Sequence, residues 1–117
     1  MQGFIIPVPA ENREAYRKAA EDCWAVLDDY GALRVVETWG DDVPAGKVTD
    51  FYRAVKGEDG ETIVFSFIEW PSREVCDAAK DKIETDERMQ PGPDFVMPFD
   101  GKRMTYGGFE PIVVLEA

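Results

Sequence analysis

Thr62-Ile63-Val64-Phe65-Ser66-Phe67-Ile68-Glu69-Trp70 runs for nine residues without a glycine or proline. Side chains alternate across an extended chain, so Ile63, Phe65, Phe67 and Glu69 fall on one face and Val64, Ser66, Ile68 and Trp70 on the other. A strand with one wet face alternates cleanly between apolar and polar residues. This one carries large apolar groups on both faces, so both need covering.

Outward from this strand, Gly57-Glu58-Asp59-Gly60 is turn chemistry and predicts a hairpin with a strand over Phe51 to Lys56. Leu33 to Trp39 reads as a further strand. Leu33, Val35 and Trp39 lie on one side of it, and Val36 lies opposite between Arg34 and Thr38. A short β-rich run from Gly3 to Val8 is ended by Pro9, and a final strand spans roughly Met104 to Leu115. Within that last strand Gly107-Gly108 marks a bulge or a close backbone approach.

The period changes to three and four between Glu11 and Tyr30, where Tyr16, Ala19, Ala20, Cys23, Leu27 and Tyr30 form one helical face stopped by Gly31. Asp28 and Asp29 sit at the unfavourable end of that helix dipole, with Arg34 as the expected counter-charge. Ser72 is a good N-cap for a second helix with Val75, Cys76, Ala79 and Ile83 on its apolar face, broken at Pro91-Gly92-Pro93. The order β-α-β-β-α-β predicts one α+β domain over residues 1–117, a ferredoxin-like antiparallel sheet.

Two helices joined by right-handed crossovers cover one face of such a sheet. Leaving the other bare would forfeit roughly 1.5–3 kcal/mol per large side chain and expose a sticky patch. A second copy packed sheet to sheet is the expected cover. It would give a homodimeric α+β barrel.

The 117 residues suit a single core. With 13 Lys and Arg against 24 Asp and Glu, the formal charge of −11 argues against a nucleic-acid partner, since that affinity rests on basic residues displacing counterions. The absence of histidine removes the commonest general base and metal ligand. The amino-terminal run lacks a basic region and is broken by Pro7 and Pro9, so it does not read as a signal peptide, and no stretch has the length of a membrane span. Cys23 and Cys76 fit no disulfide or CxxC pattern and read as reduced, buried thiols, which implies a cytoplasmic protein.

No phosphate-binding, zinc, nucleophile-elbow or calcium-loop motif is present, and no cofactor or metal is expected. The acidic doublets Asp28-Asp29, Asp41-Asp42 and Asp86-Glu87 read as solvated surface. Arg53 and Glu69 stand among apolar strand residues, where a charge must be paired or must line a polar cavity. The expected ligand-binding residues are Arg53, Glu69, Arg103 and Trp39. The carboxylate and phenol candidates for acid–base work are Glu69, Asp100 and Tyr106.

Met97-Pro98-Phe99-Asp100-Gly101-Lys102-Arg103-Met104 followed by Tyr106-Gly107-Gly108-Phe109, with Gly3-Phe4, Pro7-Val8-Pro9, Gly40-Asp41-Asp42, Arg53-Ala54-Val55 and Val64-Phe65-Ser66, resembles the YbaA-like family of bacterial proteins. The resemblance runs in order over nearly the whole chain. It implies the dimeric α+β-barrel fold and no established activity, so no catalytic residues carry over. Three functions are compatible with this reading: binding of a small apolar or aromatic metabolite, cofactor-independent enzymology without a catalytic histidine, or a structural role without a small ligand.

Overall fold

The computed structural model describes residues 1–117. Strands β1 (Gln2–Pro9), β2 (Arg34–Trp39), β3 (Glu61–Glu69) and β4 (Thr105–Gly108) form one antiparallel sheet in the order β2-β3-β1-β4. Helix α1 (Arg13–Asp29) joins β1 to β2, the four-residue α2 (Phe51–Ala54) lies between β2 and β3, and α3 (Arg73–Thr85) follows β3. This is the expected α+β sheet with ferredoxin-like topology. No helix is long and apolar enough to cross a membrane.

Register assigns the faces. Ile6 opposes Val64 and Val8 opposes Thr62, while Val35, Glu37 and Trp39 oppose Ile68, Ser66 and Val64. Ile6, Val8 and Val64 pack beneath Tyr16 of α1, with Phe4, Trp39, Phe99 and Met104 around them. A second cluster joins Trp70 and Ala32 to Cys76 and Ala79 of α3. The Phe99 ring meets Tyr16 edge-on at 5.7 Å. The Pro98 carbonyl accepts the Asn12 amide at 2.9 Å, so the proline-punctuated segment is pinned to the core.

Gly31 ends α1 as expected. Its φ of +100° allows its N–H to donate to the Asp28 carbonyl while Ala32 donates to Leu27, a Schellman closure. A Cβ there would also stand 3.0 Å from Val75 of α3. Ser72 accepts the Val75 N–H at 3.2 Å at the start of α3. Ser72→Ala is expected to cost about 1 kcal/mol, measured by urea unfolding.

Five expectations need correction. Phe51–Ala54 is helical rather than extended, because Asp50 caps it by accepting the Arg53 N–H at 2.7 Å; Arg53 is therefore not a strand residue. The strand that precedes β3 in the chain and pairs with it is β2, reached through a long connection, so no hairpin closes around Gly57–Gly60. β4 stops at Gly108 rather than Leu115 because Gly108 already faces Gln2, the first residue of β1, and beyond it only the Phe109 N–H is taken, by the Met1 carbonyl at 2.7 Å. The exposed residues Ile112, Val113, Val114 and Leu115 follow it in coil. Asp29 is answered by Arg88 at 2.6 Å, whereas Arg34 reaches Glu69 at 3.1 Å. Asp86 is not solvated surface: it accepts the Tyr30 hydroxyl at 2.7 Å and pairs with Arg88.

The far face of the sheet is covered in part by the chain itself. Ile63 and Pro7 are buried at one end of it, and Phe51 meets Phe65 edge-on at 6.3 Å. Towards the other end Phe65 keeps 48% of its surface exposed, and Ile5, Val36 and Phe67 are half-buried. Both cysteines are free; Cys76 is buried and Cys23 only half-buried.

Candidate functional site

Helix α1 and the edge strand β2 flank a half-open cleft of about 500 Å³. The helix contributes Arg13, Tyr16, Ala20 and Trp24, spaced so that they share one face, and the strand contributes Val35, Glu37 and Trp39 from its helix-facing side. The volume suits a small organic ligand, and indole walls around a few polar groups are the usual composition of such sites.

Glu37 is the one carboxylate on an otherwise apolar strand face. It opposes Ser66 across the β2–β3 ladder, and the Tyr16 hydroxyl donates to its Oε2 at 2.7 Å. Glu37 is exposed, and it lines the cleft. Although the residue as a whole is exposed, desolvation of its carboxyl pushes it above the ordinary carboxylate range, opposed by hydrogen bonds from Tyr16 and Ser66. Burial first, then the Glu37 charge and hydrogen bond, push the Tyr16 phenol well above the ordinary tyrosine range. At neutral pH the pair therefore holds a proton on Tyr16 and keeps an acceptor in the cleft.

The guanidinium of Arg13 lies 5.6 Å over the Trp39 ring. Arg17, also on the cleft wall, is held between Glu14 at 2.9 Å and Glu21 at 2.5 Å. Arg34 is taken by Glu69 and stacks 5.5 Å over Phe67.

Of the residues singled out from the sequence, Trp39 lines the cleft and the others do not. Glu69 pairs with Arg34 at the end of β3. Arg53 pairs with its own helix cap Asp50 at 3.5 Å. Arg103 donates to both oxygens of Glu61, at 2.7 and 2.6 Å, to Asp100 at 3.0 Å and to the Lys56 carbonyl at 2.9 Å. Arg103 and Asp100 are thus brought together in a structural clamp, in which the guanidinium holds both the Glu61 and the Asp100 carboxyls below their ordinary range. Tyr106 is 69% exposed and stacks on Phe4 at 6.4 Å. Tyr16, Trp24, Glu37 and Arg13 were not legible as a site. Their signal is a carboxylate on the same strand face as Val35 and Trp39, beside a helix bearing tryptophan and arginine at matching spacing.

Comparison with known proteins gives the same picture of kinship without an activity. The family model described as "Protein of unknown function (DUF1428)" matches residues 1–101. "Uncharacterized protein YbaA" of Escherichia coli (strain K12) is 53% identical over 113 residues, covering 97% of this chain and 96% of that protein. The proteins of that name from Escherichia coli O157:H7 and Shigella flexneri match with the same identity and coverage. With the family model spanning most of the chain and relatives this similar over nearly its full length, the chain belongs to the DUF1428 family, to which its resemblance to YbaA-like bacterial proteins pointed.

Proposed function

We propose that the protein is a homodimer that binds a small apolar or aromatic molecule in the cleft between α1 and β2, and that it works in the cytoplasm, where free thiols stay reduced. The observation that carries the ligand reading is the cleft itself: about 500 Å³, walled by Trp24 and Trp39, with the Tyr16–Glu37 pair on its surface. The dimer is supported by the half-open apolar patch around Phe65 and by the exposed run Ile112 to Leu115, both of which a second copy would take out of water.

A thermal-shift series with neutral aromatic probes (indole, 2-naphthol and 2-naphthylacetamide) tests the cleft. Binding to the native state alone stabilises by about 2.7 kcal/mol at a hundredfold excess over Kd. A concentration-dependent rise in melting temperature that Trp39→Ala abolishes is expected. No shift with any probe overturns the ligand reading and favours a structural role.

The Tyr16–Glu37 pair supports a second reading, enzymatic turnover without histidine. A carboxylate raised by its surroundings, held in an aromatic cleft, is a competent proton acceptor. Turnover of a bound probe that is lost in Glu37→Gln, with binding retained, would distinguish it from simple binding.

A further inference from the structure

We infer that the ligand is an aromatic carboxylic acid whose carboxylate is received by Arg13. This rests on the reading of the α1–β2 cleft as a ligand site and names the class of molecule it takes. The chain has seven arginines, at positions 13, 17, 34, 53, 73, 88 and 103. Six of them are engaged by carboxylates of the chain: Arg17 by Glu14 and Glu21, Arg34 by Glu69, Arg53 by Asp50, Arg73 by Asp77, Arg88 by Asp29 and Asp86, and Arg103 by Glu61 and Asp100. In a protein with 24 acidic groups, Arg13 alone makes neither a salt bridge nor a side-chain hydrogen bond, and it is the arginine that lies over Trp39 in the wall of the cleft.

The stacking leaves Arg13 ready for an anion. A guanidinium uses its flat face against an aromatic ring, while its N–H donors point outward in the plane, where a carboxylate accepts two of them in parallel. Trp39 thus meets the guanidinium without taking any of its N–H donors. An aromatic body seated at the Trp39 end of the cleft then places one acidic group at Arg13. The chain's overall charge of −11 repels anions in general, so a site for one needs a local, unpaired cation.

Isothermal titration calorimetry with 2-naphthylacetate and its primary amide tests this, because the two probes share a ring and differ in charge. The acid is expected to bind at least tenfold more tightly than the amide. Arg13→Gln, a change at an exposed position, should reduce the acid to the amide's affinity, while Arg73→Gln, on α3 away from the cleft, alters neither. Equal affinities in the wild type, or an acid preference that survives Arg13→Gln, overturn the inference while the cleft stands. Binding of neither probe overturns the cleft reading and the inference with it.

Discussion

Tyr16→Ala is expected to lower the unfolding free energy by about 3–5 kcal/mol, the range for truncating a large aromatic in a core, and the melting temperature by roughly 10–20 °C. Tyr16 is buried over Ile6, Val8 and Val64, with the Phe99 ring against its side, so its removal opens the main cluster and unseats the proline-rich segment together. Chemical denaturation with a matched slope checks the number, and a loss under about 1 kcal/mol would contradict the packing described. Tyr16→Phe separates packing from chemistry. Glu37 titrates above its ordinary 4.5, so the stability linked to its proton is full below pH 4.5 and lost as pH rises through the folded value. Tyr16→Phe removes a hydrogen bond that favours the carboxylate, so the folded value rises further and the loss deepens. The phenol acts at the other end of the scale. Because its own pKa is raised, it contributes to a loss of stability above pH 10, which Tyr16→Phe should make smaller; Tyr30 and Cys23, also raised, keep a part of that loss in the variant.

Phe65→Asp is expected to convert a particle of twice the 13.2 kDa chain mass into one of 13.2 kDa, with an unchanged far-ultraviolet circular dichroism spectrum. Phe65 is 48% exposed on the far side of the sheet, so a carboxylate there reaches water in the single chain and costs the fold little. In a sheet-to-sheet pair the same carboxylate would be buried opposite apolar groups, a position charges do not tolerate without partners. Light scattering at micromolar concentration checks both proteins. A wild type already at 13.2 kDa removes the dimer from the proposal and leaves the α1–β2 cleft to be judged on its own.

The sheet and both long helices were legible because Thr62–Trp70, Leu33–Trp39 and the Tyr16-to-Tyr30 stripe are periodic and bounded by glycine or proline. The short elements were not. Phe51-Tyr52-Arg53-Ala54 alternates like a strand, and only the capping aspartate before it favours a helical turn, an effect of one side chain over four residues. The end of β4 was hidden for another reason: it is set by where β1 begins, and no local pattern in Ile112 to Leu115 records that. The site was legible only at Trp39. Tyr16 and Trp24 serve the core and the cleft at once, so their helical spacing reads as packing. Arg13 gains its meaning from the pairing of every other arginine, which is a property of the folded chain.

The Arg103 clamp ties three separate stretches to one guanidinium: the exit of α2 through the Lys56 carbonyl, the first residue of β3 through Glu61, and the loop before β4 through Asp100. The Thr105 hydroxyl adds a further tie to the Ala54 carbonyl. Amide hydrogens in these stretches are expected to exchange with solvent faster together in Arg103→Gln than in the wild type, because that one change releases all three at once; hydrogen-exchange mass spectrometry checks it.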